Sequence, residues 1–207
     1  MTTHSKLIQW FTTHKILTVF ATMLLAFGAC TASELLAPAK EIALVIGEPW
    51  KDMQARSTAK IADDIPDEIW YRVPKELAYL RFADPKHEFT TPAAKYFSIS
   101  FNRGIVYSVR ISPQIEPLPL QEALNIVLDL QNQWRKSGWT LDEPEEFPAY
   151  DNTPVWHQAL KECSALSSHW NAGKLYQLMV VITCYSDKRY PDNKGYLVTI
   201  SMGKFRE

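Results

Sequence analysis

The chain has 207 residues, of which 46% are hydrophobic and 12% aromatic, and its formal net charge is −1. That apolar content suffices for a packed core in one domain, which argues against global disorder. The near-neutral charge, without a block of lysine or arginine, argues against nucleic acid as a partner, because nucleic-acid-binding proteins need a basic surface.

The first 29 residues predict a signal peptide for export. Lys6 and Lys15 precede an apolar run at 16–29 that ends in small residues, which is the pattern of a secretory leader. The run is shorter than the about 18–20 apolar residues that a membrane-spanning helix needs, so an uncleaved anchor is the less favoured alternative. This segment contains both lysines and no acidic residue, so its removal makes the net charge of the remaining chain more negative.

Cys30 follows the apolar run directly. Residues 27–30, Phe-Gly-Ala-Cys, resemble the lipoprotein signal of bacterial envelope proteins, in which the cysteine is lipidated and becomes the new N-terminus, although Phe27 replaces the usual aliphatic residue. Cysteine number favours lipidation of Cys30, because an exported chain with three cysteines has one left over. Lipidation leaves Cys163 and Cys184 as a pair that an oxidising compartment can join. The alternative is ordinary cleavage without a lipid.

The rest of the chain is predicted to form a tether, residues 30–40, and a single domain, residues 41–207. The first part of this domain contains short elements separated by turn-forming residues. Prolines interrupt 62–75, which is predicted to be irregular. The other predictions here are a strand at 41–46, a helix at 49–56 and a strand at 77–82.

Alternating apolar and polar residues predict a β-hairpin at 96–111. A three-residue loop at 102–104 places Phe101 opposite Ile105 and keeps apolar partners on one face, whereas a two-residue loop mixes the faces. Gly104 is therefore expected in the left-handed conformation that such a loop favours at its third position.

One long amphipathic helix is predicted over 119–137, with Pro119 suited to its start and Gly138 to its end. Its polar residues fall on the opposite side from its apolar residues, so we expect it to pack on one face of a sheet. The apolar side consists of Leu120, Ala123, Leu124, Val127, Leu130 and Trp134.

Strands are predicted at 175–184 and 196–204, joined by a connection whose turn-forming residues lie at 191–193. The run at 178–182 is continuously apolar, which predicts a strand covered on both faces. The whole pattern predicts an α+β fold, with a mostly antiparallel sheet and the long amphipathic helix packed on a face.

Residues 154–172 fit either a helix or one strand of a hairpin. A hairpin with Gly173 at its tip places Cys163 directly opposite Cys184, whereas a complete helix separates the two cysteines too far. A disulfide tolerates only about 4.4–6.8 Å between Cα atoms. The resulting prediction is a helix at 154–162, a strand at 164–171 and a disulfide between Cys163 and Cys184.

No common catalytic, cofactor-binding or metal-binding motif occurs in the sequence. His157 and His169 are too far apart to form a short-range metal-ligand pair, and adjacent strand residues such as Ser168 and His169 point to opposite faces. The sequence therefore predicts no catalytic residue, no cofactor and no metal.

Two acidic clusters lie beside aromatic residues and are candidates for recognition. The first, at 63–68, precedes Trp70 and Tyr71. Acidic residues beside exposed aromatic residues suit the binding of a basic protein, although solvated loops are the simpler interpretation and paired carboxylates can also hydrolyse glycosides. The residues predicted to bind a partner belong to the second cluster and are Trp139, Asp142, Glu143, Glu145, Glu146 and Tyr150.

These observations favour a non-enzymatic protein-binding module of the cell envelope, exported to the periplasmic side and held at a membrane through a lipid on Cys30. It would dock a basic protein partner as an assembly factor or as an inhibitor, for example an immunity protein. The alternatives are a small periplasmic hydrolase that uses the clustered carboxylates and a purely structural envelope protein.

Overall fold

The computed structural model describes residues 40–164, 166–187 and 190–205. The predicted signal peptide, the predicted lipidation site Cys30 and the predicted tether up to residue 39 lie outside these residues. The described residues form a mixed α+β fold with mostly antiparallel sheets, as predicted. Their helices are α1 (Trp50–Arg56), α2 (Leu120–Lys136) and α3 (Pro154–Lys161).

The strands of the described residues form two sheets. They are β1 (Lys40–Leu44), β2 (Ile69–Arg72), β3 (Ala78–Phe82), β4 (Phe89–Thr90), β5 (Tyr96–Asn102), β6 (Ile105–Ser112), β7 (Thr140–Leu141), β8 (Ser167–Ala172), β9 (Tyr176–Asp187) and β10 (Tyr190–Lys204). The main sheet has the order β2-β5-β6-β10-β9-β8-β7, and all its pairs are antiparallel. The small sheet has the order β1-β3-β4, and β1 runs parallel to β3.

The single predicted sheet was therefore wrong. Strands β1 and β3 pair parallel to each other and belong to the small sheet. A parallel pair needs a long crossover connection between its strands. Here the crossover contains α1 and β2, and β2 belongs to the main sheet. The region 62–75, predicted to be irregular, thus contains a strand between its two prolines.

Helix α2 covers one face of the main sheet and packs against β9, β10 and β4. It begins after Pro119, and Gly138 with φ of 73° follows its end, as the sequence predicts. Gln131 is also buried on this helix, although a polar side chain does not predict burial. The buried side consists of Ala123, Leu124, Val127, Leu130, Gln131 and Trp134.

The hairpin of β5 and β6 has a different turn from the predicted one. Asn102 pairs with Ile105, so the turn contains only Arg103 and Gly104. Both have positive φ, 48° and 76°, as in the type I′ turns whose twist matches that of a hairpin. The positive φ of Gly104 was predicted, but the three-residue loop was wrong.

A β-bulge restores the apolar pairing that the two-residue turn disturbs. Phe101 pairs with Val106 and Ser100 pairs with Ser108, so Tyr107 is the extra residue. Beyond it, Ile99 pairs with Val109, and both are buried. Because one extra residue changes the register, the apolar pattern alone could not fix the loop length.

Strands β9 and β10 extend further into their connection than predicted, to Asp187 and from Tyr190. Residues 191–193, expected to form the turn, lie within β10, where the register shifts between Tyr190 and Lys194. Turn-forming residues also occur at such irregularities in strands. The two residues that join the strands lie outside the described ranges.

Strand β9 is covered on one face only, which contradicts the prediction from its apolar run. Leu178, Val180 and Ile182 are buried beneath the helices, whereas Met179 on the other face is 37% exposed. That other face of the main sheet, opposite α2, carries the candidate site.

The predicted change from helix to strand in 154–172 is confirmed by α3 and β8. Ala172 pairs with Tyr176, so the turn has three residues and the register differs by one from the predicted register. Cys163 precedes β8, yet its sulfur lies 2.17 Å from that of Cys184, with 5.4 Å between the Cα atoms. The predicted cysteine pair is therefore at disulfide distance.

Candidate binding site

The open face of the main sheet carries a groove of about 730 Å³, which we call the open-face groove. Strands β2, β5, β6, β8, β9 and β10 all contribute side chains to it, and Asp142 joins them from the loop after β7. Because side chains alternate across a strand, the residues of this face are those between the buried ones.

The strand registers align the groove residues in two rows that cross the strands. Neighbouring strands lie about 4.8 Å apart, so a row across seven strands spans about 29 Å. The first row contains the groove residues Tyr71, Ser100, Ser108, Gly203, Gln177 and Asn171, and it continues beyond the groove to Thr140 on β7. The second row contains Ser98, Arg110, Ser201, Met179 and His169.

Small polar residues make the floor of the groove low. Ser100, Ser108 and Gly203 are consecutive neighbours in the first row. The short serine side chains and the lack of a side chain at Gly203 leave the space that the larger residues border. Tyr71 is 49% exposed and Tyr107 is 37% exposed. Because Tyr107 is the extra residue of the bulge, Tyr107 and Ser108 both lie on the open face of the sheet, although they are adjacent in sequence.

The charged groups of the groove are few and mixed. Arg110 is exposed and lies opposite Ser98 of β5 and Ser201 of β10 in the strand registers. Lys204 borders the groove, but the end of its side chain lies beside Gly47 rather than in the groove. Asp142 supplies a carboxylate, so the groove presents hydroxyl and amide groups with one arginine and one carboxylate.

His169 is held at the groove by an aromatic contact. Its ring stacks on Phe147 with 3.9 Å between centroids and 12° between planes. Among the described residues, no side-chain hydrogen bond joins His169 to a serine or to a carboxylate. The described groove residues therefore do not contain an assembled nucleophile and base.

Trp139 and Tyr150 were predicted to contact a partner, but both are only 2% exposed. Trp139 packs its ring against Phe82 and donates its indole N–H to the backbone oxygen of His87 at 3.0 Å. These two aromatic residues belong to the core, because their polar atoms find internal partners. Their assignment to a binding surface was wrong.

Tyr150 joins three parts of the core through hydrogen bonds. Its hydroxyl donates to the backbone oxygen of Leu166 and accepts the N–H of Ile182 at 2.9 Å. Burial raises the pKa of Tyr150 to about 12, despite the opposing effect of the Ile182 N–H. Gln131 bonds both the N–H and the carbonyl oxygen of Tyr150, each at 2.9 Å.

The four predicted carboxylates lie at the border of the groove. Asp142 lines it directly, and Glu143, Glu145 and Glu146 are exposed on the loop that follows. The loop is fixed to the sheet by the contact between Phe147 and His169. The carboxylates are therefore beside the groove and accessible to a partner.

The first acidic cluster is only partly free of internal contacts. Asp63 accepts a hydrogen bond from Lys51 at 2.6 Å and another from Gln54 at 3.0 Å, and both contacts hold its pKa below the usual value. Trp70 and Tyr71, which follow the cluster, are 55% and 49% exposed. The predicted association of acidic and exposed aromatic residues is found here.

In the described part of the chain, His, Cys, Asp and Glu side chains form no group of three or more that could hold a metal ion. None of the described helices is long and apolar enough to span a membrane.

The serines of the open-face groove were not predicted as site residues. Ser98, Ser100, Ser108 and Ser201 were recognised only as the polar positions of alternating strands. The signal was the repeated use of small hydroxyl residues at those positions, but the neighbours of each strand in space were needed to bring them together. In comparisons with known proteins, the chain matches no family model, no curated protein and no solved structure.

Proposed function

We propose that the protein is a non-enzymatic binding module of the cell envelope that docks a protein partner in the open-face groove. The observation that carries this proposal is the composition of the two rows, in which four of the twelve residues are serine and one each is tyrosine, glycine and asparagine. Tyrosine supplies a large, rigid contact area, and the small polar residues supply adaptable hydrogen bonds. Met179 adds an adaptable apolar contact.

The accessible carboxylates support a basic partner. Glu143, Glu145 and Glu146 lie on one exposed loop beside the groove, and charges at the rim of an interface increase the rate of association with an oppositely charged protein. The partner would thus place a basic segment over this loop and a less charged segment in the groove. Docking of this partner would serve its assembly or its inhibition.

The experiment is affinity capture from the organism's own envelope with a variant that fills the groove. Ser201→Trp adds a bulky side chain at the centre of the second row. Gln121→Trp is the control, because Gln121 is exposed on α2, which covers the opposite face. We expect wild type and Gln121→Trp to capture the same protein and Ser201→Trp to lose it.

Equal capture by all three proteins would remove the groove from the proposal. A hydrolytic activity of the purified protein that disappears in Asp142→Asn would instead support the alternative of a small hydrolase. Capture of nothing by any of them would favour a purely structural protein.

The loop carboxylates provide a separate prediction about rate. Converting Asp142, Glu143, Glu145 and Glu146 to the corresponding amides should slow association with the captured partner and weaken its salt dependence. The free energy of unfolding should hardly change, because exposed charges contribute little to it. Stopped-flow association at two ionic strengths measures the effect, and an unchanged rate would exclude the loop from the interface.

We further propose that Cys30 is lipidated and holds the protein at a membrane. Cys30→Ser should move the protein from the membrane fraction to the soluble periplasmic fraction, since it removes the only acylated residue of the proposed anchor. Cell fractionation and mass spectrometry of the N-terminal peptide test this. A wild-type protein that is soluble or carries no acyl mass would contradict the proposal.

A further inference from the structure

Two opposite charges line the open-face groove at separate positions. Arg110 lies on β6, and Asp142 directly follows β7, where its N–H donates to the backbone oxygen of His169 at 2.8 Å. This hydrogen bond extends the register of β7 and β8, so Asp142 continues the second row beyond His169. Arg110 and Asp142 are therefore separated along the row by four strand spacings, about 19 Å.

Neither charge is neutralised by an ion pair in the described part of the chain. Three ion pairs occur among the described residues, and neither Arg110 nor Asp142 belongs to any of them. Both residues line the groove, where Arg110 is exposed and Asp142 is half-buried. A charge of this kind on a binding face attracts an opposite charge of the ligand and repels a like charge.

The surroundings of Arg110 suit a carboxylate. Ser98 and Ser201 lie opposite Arg110 on the two neighbouring strands, so a serine flanks it on each side. A guanidinium binds a carboxylate through two parallel N–H donors, and serine hydroxyls can donate to its remaining lone pairs. The groove continues past Arg110 to Ser98 and Tyr71, so it has room for a chain that runs on in both directions. This favours an acidic side chain within a segment over a chain end.

The other end of the row suits a basic side chain. Asp142 is followed by three exposed carboxylates, Glu143, Glu145 and Glu146. Together they attract lysine or arginine and repel an acidic residue. The part of the row between Arg110 and Asp142 contains Ser201, Met179 and His169.

We propose that the partner lays an extended segment along the second row, with an acidic side chain on Arg110 and a basic side chain about five or six residues away on Asp142. The inference rests on the proposed function, because it specifies which segment of the protein partner occupies the groove. An extended chain advances about 3.3–3.6 Å per residue, so that number of residues covers the distance between the two charges. The segment crosses the strands and is therefore held by side-chain contacts.

The two charges also select among partners. The acidic loop attracts any basic segment, but a uniformly basic segment would meet repulsion at Arg110. A uniformly acidic segment would be repelled at Asp142. Specificity of this kind comes from the repulsive contact as much as from the attractive one.

The experiment is a double-mutant cycle between the purified protein and a fluorescently labelled probe peptide, followed by fluorescence anisotropy. The probe is the peptide Lys-Lys-Ser-Ala-Ser-Ala-Asp, blocked at both ends, whose lysines lie about five and six residues from the aspartate. Arg110→Glu should raise its dissociation constant about tenfold or more, because a charge-assisted contact is replaced by repulsion. A peptide with lysine in place of the aspartate should bind wild type more weakly and recover its affinity with Arg110→Glu.

Lys86→Glu is the matched control, because it makes the same charge change on an exposed residue between β3 and β4, outside the groove. The change of probe peptide should have a much larger effect on Arg110→Glu than on this control. Asp142→Lys tests the other end of the row, and it should prefer a peptide whose lysines are replaced by glutamates.

Two further peptides test the spacing and the source of the carboxylate. One has the composition of the probe with the aspartate directly beside the lysines, so its charges are too close together. The other has asparagine in place of the aspartate and a free C-terminal carboxylate, which imitates a chain end. Both should bind more weakly than the probe.

The inference would be overturned by absence of probe binding, by equal effects of Arg110→Glu and Lys86→Glu, or by a further peptide that binds as tightly as the probe. The proposed function is judged separately, by envelope capture with Ser201→Trp. That capture can succeed when the peptide cycle fails, so the two failures are distinguishable.

Discussion

Gln131→Leu is expected to lower the free energy of unfolding by about 2–6 kcal/mol. The Gln131 side chain is fully buried and bonds both the N–H and the carbonyl oxygen of Tyr150 at 2.9 Å. Leucine has a similar size but leaves both backbone groups buried without partners, and each such group costs about 1–3 kcal/mol. Urea denaturation followed by tryptophan fluorescence measures the loss.

Gln133→Leu is the matched control for this prediction. Gln133 makes the same two-point contact from α2, to the N–H and oxygen of Thr90 at 2.9 and 3.1 Å, but it is only half-buried. Water can replace the lost hydrogen bonds there, so we expect a loss below about 1 kcal/mol. Equal losses in the two variants would show that burial of the Tyr150 backbone is not the cause.

Removing the bridge between Cys163 and Cys184 is expected to lower the free energy of unfolding by about 3 kcal/mol. The two cysteines are 21 residues apart in sequence, and closing a loop of about 20 residues restricts the unfolded chain by that amount in the loop-entropy model. The double variant with both cysteines changed to serine should unfold at lower urea concentration and should not respond to reductant.

Wild type without reductant is the reference for that measurement, and addition of reductant should bring its unfolding midpoint close to that of the double variant. Thiol titration of the denatured protein provides an independent check. Free thiols from both Cys163 and Cys184 in protein that has never met reductant would contradict the pairing.

The amphipathic helix α2 and the change from α3 to β8 were predictable because each depends on a local pattern. Helix α2 has one apolar side, with Pro119 before its start and Gly138 after its end. These features can be recognised without knowledge of distant contacts. The pairing of Cys163 with Cys184 followed from the geometric limits of a disulfide, although the register that suggested it was wrong by one residue.

The errors arose where distant parts of the chain decide the outcome. The bulge at Tyr107 changes the hairpin register by one residue, and the apolar pattern does not show it. Trp139 and Tyr150 looked like exposed aromatic residues beside carboxylates, but each has an internal hydrogen-bond partner for its polar atom. The partners are far away in sequence, at His87 and Leu166.

The candidate site was the least predictable part for the same reason. Ser100, Ser108 and Gly203 come from three strands and become neighbours only when β6 lies between β5 and β10. The strand order of an antiparallel sheet is set by packing across the whole domain rather than by any one segment. Alternation in each strand predicts an exposed polar face but not its groove.

Photo-crosslinking in living cells tests the central claim most directly. A photoreactive amino acid at position 201 lies at the centre of the open-face groove, and the same amino acid at position 121 lies on the exposed side of α2. Our account predicts a crosslink to a second protein species from position 201 and not from position 121. No crosslink from position 201, or the same crosslinks from both positions, would contradict it.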